Sequence, residues 1–368
     1  MSDCFIQTAP RFSPNAYEIP LCENRLYEKI RSSVPIVDAA ITKIVRLTGG
    51  YRVICSDETL QTTLDNFIEN VPVGLSSQSL QAFTDSFLDS LITYGNAVGE
   101  IIVDPETLRL SGLYNGDVRN LIVAPSGVPF KRSYFVRDER GIPQPVQKPQ
   151  LILFSALSPK NGNIYGDSVL KGLPAFSSVL MRIYECIGQN YDRMGNVRYA
   201  VTYKPSDPNE MPYAKDRAEQ IAKEWADGMN ASKYGEVRDF VAVGDVDIKV
   251  IGSENKLIDT NIPVRQIIEQ LISKLSIPPF LLGLNWSTTE RMSTQQSDIL
   301  TSELEYYRRI LTPVIKSVCN AFLRLLGSEA EITVEWDNIN LQDEVELADA
   351  RLKNAQALEI ETRLKSQN

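Results

Sequence analysis

The sequence predicts an α+β fold in which long helices border a small α/β unit. The first observation is a pair of amphipathic helical patterns between Asn261 and Gly327, joined by a loop that begins with two prolines. The second is residues 104–155, which are rich in turns and in short patterns typical of strands. The third is residues 197–258, where strand, helix and hairpin patterns follow one another closely. The chain therefore combines helical and β regions.

Length and composition describe an ordinary globular chain. Its 368 residues suffice for two or three domains, and 43% apolar with 23% charged residues is typical of folded proteins. No stretch approaches the roughly 18 apolar residues of a membrane span. The start, Met1 to Cys4, lacks a basic region followed by an apolar run, so we expect no secretory signal. The five cysteines are odd in number and far apart, which favours a reducing, cytosolic environment.

Several kinds of chemistry lack their usual residues. The absence of histidine removes histidine bases, Ser-His-Asp triads and most catalytic zinc sites. Neither a Gly-x-x-x-x-Gly-Lys segment nor a Gly-x-Gly-x-x-Gly turn is present. The 38 basic and 47 acidic residues give a net charge of −9, whereas proteins that grip nucleic acid tightly are usually basic. We therefore expect any DNA contact to be loose or local, and we expect no cofactor or metal.

The first elements are predicted from the spacing of apolar residues and from the glycines and prolines that end or interrupt helices and strands. Leu80, Phe83 and Phe87, for example, share one face of a helix that Gly95 ends. The predicted elements are a polar arm at 1–20, a helix at 24–47 interrupted near Pro35, a strand at 51–55, a helix at 78–94 and a strand at 96–103.

The next region predicts short strands and then a long helix. Candidate strands lie at 120–124, 133–136 and 151–154, with a hairpin turn at 138–141. Further on, Gly166 permits a tight turn, and Asp167 or Ser168 caps a helix that continues past Pro174 to Gly195.

Residues 197–258 predict a unit of their own. The expected elements are a strand at 197–203, a proline-rich loop at 205–212, a helix at 214–229, and a hairpin of 237–243 with 246–251 around Gly244-Asp245.

The helical pair comes next. The first helix, 262–276, stops at Ile277-Pro278-Pro279, because a residue before proline avoids the α region. Ser293 and Gln296 fit a capping box for the second helix, 294–326, which ends at Gly327 and has an expected kink at Pro313. A strand at 331–336 and a charged helix at 341–365 follow. Periodicity alone favours an ordinary packed core for both helices of the pair.

Three motifs, in this order, resemble the portal proteins of tailed bacteriophages. They are the step Gly95-Asn96-Ala97 from helix into strand, the segment Tyr165-Gly166-Asp167-Ser168-Val169-Leu170 before a long helix, and Ile277-Pro278-Pro279-Phe280-Leu281-Leu282-Gly283 before a polar loop. The opening Ser293-Thr294-Gln295-Gln296 of the following helix also matches that family. The resemblance extends from about residue 24 to 360, and its weight comes from the order of the motifs.

The resemblance implies a portal arrangement of wing, stem, clip and tunnel loop. The implied segments are an N-terminal arm and wing at 1–166, a first stem helix at 167–196, a clip at 197–258, a second stem helix at 259–277, a tunnel loop at 278–293, a long wing helix at 294–327, and a strand with a C-terminal crown-type helix at 328–368.

By the same resemblance, the chain would be no enzyme. It would be a virion protein, assembled in the host cytoplasm, that forms a ring of twelve copies at one capsid vertex. Double-stranded DNA would pass through this channel during packaging and ejection. The implied partners are the terminase, the major capsid and scaffold proteins and the head–tail connector proteins, with no membrane.

Two groups of site residues follow from this assignment. The tunnel loop would face DNA through Trp286, Ser287, Thr288, Thr289 and Arg291. Alternatively, Trp286 packs back onto the two helices. The clip would meet the terminase and connector, and its exposed charges would include Asp207, Glu210 and Lys215.

Two other classes of function remain open from the sequence. Six carboxylates crowd the C-terminal region and could hold the metal ions of a nucleic-acid-processing enzyme: Glu335, Asp337, Asp343, Glu344, Glu346 and Asp349. Acidic residues at a helix start also simply match the helix dipole, which is the more ordinary interpretation. The third possibility is a helical scaffold or adaptor with no DNA path.

Overall fold

A computed structural model of the chain describes residues 21–339, with gaps. The positions outside the description within that range are 127, 129–130, 139, 196–197, 205–211, 234–244, 252–259 and 285–289. The chain divides into two compact units. The first comprises Met1–Ser177 and Ile267–Asn368, and the second is Ser178–Gln266.

Four helices open the first unit. They are α1 (Leu21–Ser33), α2 (Pro35–Thr48), α3 (Glu58–Asn70) and α4 (Leu80–Tyr94). The predicted break at Pro35 is confirmed, because this proline opens α2 as proline does in a first turn. The sequence did not predict α3, whose cap is Asp57 accepting the Thr59 N–H.

Three small sheets complete the first unit. Strand β1 (Tyr51–Cys55) pairs with the last strand described below. The five-stranded sheet has the order β3-β2-β5-β4-β9, and the three-stranded sheet has the order β6-β7-β8. The strands are β2 (Pro72–Val73), β3 (Ser77–Gln78), β4 (Asn96–Val103), β5 (Leu110–Gly116), β6 (Leu121–Pro125), β7 (Arg132–Arg137), β8 (Pro143–Pro145) and β9 (Ile152–Ala156). All pairs are antiparallel except β2 with β5.

The core lies between α4 and one face of the five-stranded sheet. Phe83 and Phe87 of α4 are fully buried. A side chain at Gly99 of β4 would lie 2.5 Å from the Phe83 ring, so this glycine lets the helix approach the sheet. On the opposite face, Val98 is covered by Leu121 and Val123 of the three-stranded sheet.

The second unit contains most of a long helix, a two-stranded sheet and a further helix. The long helix is α5 (Leu173–Gly195), and β10 (Arg198–Lys204), α6 (Ala214–Lys233) and β11 (Asp245–Ile251) follow. Strand β11 pairs with β10 in antiparallel register. The predicted strand at 237–243 and most of the loop at 205–212 lie outside the described residues.

The chain then forms α7 (Asn261–Leu275), α8 (Glu290–Leu325) and β12 (Ile332–Trp336), and β12 pairs with β1. The apolar stripe predicted for α8 is largely buried, as Leu300, Leu304, Leu311 and Val318 show. Pro313 lies inside α8, and Gly327 ends it at φ +82°. None of the helices in the described ranges is both long enough and apolar enough to span a membrane.

Two predicted helix starts are wrong. Helix α5 begins at Leu173, because residues 169–172 form turns rather than the first stretch of a helix from 167. Helix α8 begins at Glu290, so Ser293 and Gln296 lie inside it and are no capping box. The Gln296 side-chain oxygen is instead buried without a hydrogen-bond partner. The charged helix predicted at 341–365 lies outside the described residues.

Candidate functional site

The segment between α7 and α8 is held firmly at its first end. Ile277 and Pro278 are buried, and Pro279–Leu282 forms one 3₁₀ turn. Gly283 closes this turn at φ +76°, with its N–H donating to the Phe280 carbonyl over 3.1 Å. The two prolines therefore begin an ordered turn, which takes up the first residues of the predicted tunnel loop.

The second end of this segment is the first turn of α8, at Glu290. The stretch between Gly283 and Glu290 is therefore shorter than the predicted loop of 278–293. Trp286, Ser287, Thr288 and Thr289 lie outside the described residues, so their proposed role stays a prediction. Arg291 belongs to the first turn of α8, where the sequence placed it in the loop.

The predicted clip residues are only partly described. Lys215 is exposed in the first turn of α6. Asp207 and Glu210 lie outside the described residues. A role for this unit in partner binding stays a prediction.

The first two sequence motifs meet in space, although 70 residues separate Asn96 from Gly166. The Gly166 N–H donates to the Asn96 side-chain oxygen over 2.9 Å, and the Leu157 N–H donates to the Gly95 carbonyl over 2.8 Å. A side chain at Gly166 would overlap the backbone of Leu157. We call the contact of residues 93–97 with residues 157–170 the motif junction.

Ser168 makes two hydrogen bonds inside the motif junction. Its hydroxyl donates to the Thr93 carbonyl over 2.6 Å and accepts the Leu170 N–H over 2.9 Å. The Tyr165 hydroxyl accepts the Val123 N–H over 2.8 Å. The motif that resembles portal proteins is thus a structural element here, because it ties the start of α5 to α4 and to two sheets.

Comparisons with known proteins find matches among solved structures. No protein-family model matches the sequence, and no curated protein matches it either. Among solved structures, a chain of the neck of a native gene transfer agent (GTA) particle, computed with C12 symmetry, matches with a TM-score of 0.62 at 15% identity, covering 91% of this chain and 89% of that one.

A chain of the neck of an empty GTA particle, computed with C6 symmetry, matches with a TM-score of 0.65 at 15% identity, covering 90% of this chain and 88% of that one. A portal protein of the HK97 phage family from Corynebacterium diphtheriae matches more loosely, with a TM-score of 0.44 at 11% identity over 84% of this chain and 94% of that one. The chain has the fold of the GTA neck chains. The predicted resemblance is thereby confirmed at the level of the fold.

Within this neck-chain fold, a groove of about 760 Å³ between α1, α2 and the end of α4 is lined by polar and charged side chains, of which Arg31 and Asp38 pair with each other. The Arg31 guanidinium contacts Asp38 at 2.7 Å and Asp89 at 2.6 Å. Burial lowers the pKa of Arg31, but these hydrogen bonds outweigh it and the pKa is raised. The Arg31 guanidinium is therefore already engaged by two carboxylates, and Lys43 and Arg46 are the other cations in the lining.

A buried arginine links the end of α2 to α8 and β12. Arg308 donates two hydrogen bonds to the Thr48 carbonyl, at 2.8 and 2.6 Å, and lies over the Trp336 ring. Burial lowers its pKa. Because the carbonyls at a helix end carry partial negative charge, Arg308 acts as the C-terminal cap of α2.

The carboxylates that could serve a metal-dependent enzyme are mostly outside the described residues. Glu335 and Asp337 are exposed, at the end of β12 and just after it. In the described part of the chain, no group of three or more Cys, Asp or Glu side chains is placed to hold a metal ion. The remaining four acidic positions are not among the described residues.

Proposed function

We propose that the chain is a portal subunit that forms a ring-shaped channel at one capsid vertex for double-stranded DNA. The observation that supports this is the fold shared with GTA neck chains over nine-tenths of both chains. One of those necks was computed with C12 symmetry. A ring of twelve copies is accordingly part of the proposal for this chain.

An exposed apolar face of α5 supports assembly into a ring. Phe176, Tyr184 and Tyr191 project from nearly the same side of the helix and are 43%, 45% and 61% exposed. Large apolar side chains gathered on one face mark interaction sites. A closed ring needs two different, complementary surfaces on each copy, and this face is one candidate.

The proposed channel acts without chemistry of its own. Residues 284–289 would face DNA with serine and threonine hydroxyls, and the nearest charges, Glu290 and Arg291, offset each other. Phosphate is held firmly only where cations replace its counterions. DNA would therefore slide past the loop in both directions.

The proposed partners divide between the two units. The clip, within Ser178–Gln266, would dock the terminase and later the connector proteins. The wing would adjoin the major capsid and scaffold proteins. The protein would thus be located in the virion, after assembly in the host cytoplasm.

The test is electron microscopy of the negatively stained, purified protein, combined with native mass measurement. We expect rings with a central hole and a mass close to twelve copies. Monomers or dimers across all conditions, including with scaffold or capsid protein present, would refute the proposal. Cleavage of plasmid DNA in Mg²⁺ or Mn²⁺ would favour the enzyme instead, and particles without a hole would favour the adaptor.

A further inference from the structure

An exposed apolar strip lies on the outer face of the five-stranded sheet, the face turned away from α4. Ile102 of β4 and Tyr114 of β5 are 43% and 48% exposed on this face. The strand register sets Glu100 opposite Tyr114 and Ile102 opposite Gly112, so all four positions share that face. The other half of the same face is already covered, since Val98 is buried beneath the three-stranded sheet.

Two turns extend the strip at its ends. Leu108, in the turn between β4 and β5, is 64% exposed, and Leu75, at the tip between β2 and β3, is fully exposed. The Gly74 N–H donates to the Leu113 carbonyl over 2.9 Å, which sets that tip beside β5 at the Tyr114 end. Leu110, the first residue of β5, lies about 13 Å from Tyr114 at 3.3 Å per residue, and Leu108 lies in the turn just before it. We call Leu75, Ile102, Leu108 and Tyr114 the outer patch.

The exposed Leu108 has an unfavourable backbone conformation. Its φ is +53°, a left-handed conformation that suits glycine and is unfavourable for leucine. Asp104 fixes the turn: its carbonyl accepts the Leu108 N–H, and its carboxylate accepts the Thr107 hydroxyl over 2.7 Å. The turn thus keeps a strained, solvent-exposed apolar side chain where glycine would fold more easily. Backbone strain at an exposed residue indicates that its side chain serves binding rather than folding.

The rim of the outer patch is acidic. Glu100 and Glu106 are exposed, and Asp104 lies in the same turn. The Thr107 hydroxyl and two backbone N–H groups lower the pKa of Asp104, so its charge persists. Arg109 is the one basic residue between positions 100 and 116. A partner that covers this strip must therefore be apolar at its centre and basic at its edges.

We propose that the outer patch is the docking site for a basic amphipathic helix of another protein. A helix suits a sheet face, as α4 does on the opposite side, and about 9 helical residues span 13 Å. Lysine or arginine on the flanks of that helix would meet Glu100, Asp104 and Glu106. The site does not depend on a ring, so it can be tested on the purified chain.

The experiment measures binding of a labelled synthetic peptide of leucine and lysine at helical spacing, about 15 residues long, by fluorescence anisotropy. We expect the wild-type protein to bind it. The double variant Leu108→Gly with Tyr114→Ser should bind at least about tenfold more weakly, which corresponds to about 1.4 kcal/mol. Leu108→Gly alone should weaken binding without lowering the unfolding temperature, because it relieves the backbone strain. Val136→Ser, at a position also 43% exposed but on β7, is the matched control and should bind as wild type does.

Charge is tested separately. Glu100→Lys with Glu106→Lys should weaken binding, whereas Glu219→Lys with Glu224→Lys, at exposed positions on α6, should not. Equal binding by the patch variants and the wild type overturns the proposal. So does equal binding of a peptide with the same composition in scrambled order, since that would be charge attraction alone. If the patch variants change the protein's own assembly but not peptide binding, the occupant is a second copy and the proposal is wrong.

Discussion

Close backbone contacts and individual hydrogen bonds determine which residues fit the motif junction. The sequence assigned Gly166 to a tight turn, but the φ of this glycine does not lie in the left-handed region. Glycine is needed there because the backbone of Leu157 leaves no room for a side chain. Ser168 likewise caps no long helix; its hydroxyl joins Thr93 to Leu170. The sequence identified the correct residues, but not the contacts that require them, namely Leu157 beside Gly166 and Thr93, which lies 75 positions from Ser168.

Gly166→Ala should destabilise the first unit by about 2–3 kcal/mol, because the added methyl group meets rigid backbone that cannot move aside. Gly188→Ala is the control: it lies in α5 with open space around it and should stabilise by about 0.5–1 kcal/mol. Urea unfolding of the two variants beside the wild type measures both effects. An unchanged midpoint for Gly166→Ala would show that the junction is less rigid than these contacts imply.

At the scale of elements, the spacing of apolar residues was enough to predict those strands and helices that have a clear periodicity of their own. Strands β1 and β4 have the predicted bounds, and α4, α6 and α7 lie close to theirs. Strand β8 was missed because its two prolines argue against a strand, although an edge tolerates them. Helix α3 was missed because Leu64 is its one buried residue, which leaves little periodicity to recognise. The start of α8 was misplaced because Ser293 offered an attractive cap inside a longer helix.

The exposed face of α5 leads to a prediction about assembly. Tyr184→Ser and Tyr191→Ser should each weaken every contact between copies by about 1–3 kcal/mol, since both remove a large apolar surface that the ring would bury. Native mass measurement over a dilution series should show rings dissociating at higher concentration than for the wild type. Val136→Ser, which also replaces an exposed apolar side chain with serine but lies on β7, should leave the rings intact. Rings of undiminished stability in both tyrosine variants would place the contact elsewhere.

At the scale of the whole molecule, the order of elements carried the prediction further than any single residue did. The motifs near 95, 166 and 278 occur in the order expected of portal proteins, and the chain has the fold of GTA neck chains. The proposed functional residues are less accessible to such reasoning. Trp286 and Asp207 were assigned by position along the chain alone, because no periodicity or cap fixes what a loop residue contacts. Both lie outside the described residues, so their roles stay predictions.

The proposed clip leads to a prediction about partners. Asp207→Lys, Glu210→Lys and Lys215→Glu should weaken docking of the terminase, because reversed charges at a rim slow association and set like charges opposite each other. The ring should remain intact, since Lys215 is exposed and contributes no core contact. Pull-down of purified terminase with assembled rings measures docking, and microscopy measures the ring. If these variants package DNA normally, and a deletion of residues 205–212 does too, this unit does not dock the motor.

The last prediction concerns the loop between α7 and α8. Its ends are set by the turn that Gly283 closes and by the first turn of α8 at Glu290, so the proposed channel-facing part is residues 284–289. Replacing Ser287, Thr288 and Thr289 with lysine gives each copy three cations where it had none. Each new lysine–phosphate contact should steepen the fall of log affinity with log salt by about 0.9. DNA should then bind tightly at low salt, and packaging should slow or stop.

The matched control for this loop variant is lysine at Thr62, Thr63 and Asn66, three exposed positions on α3 that add the same charge. A packaging assay on assembled proheads, beside a salt titration of DNA binding, separates the two variants. Rings should form in both, because neither set of changes touches a buried position on the described elements. The loop variant alone should arrest packaging if its lysines reach the DNA in the channel. A normal packaging rate with unchanged DNA affinity would mean that residues 284–289 do not face the channel, even if the ring itself forms.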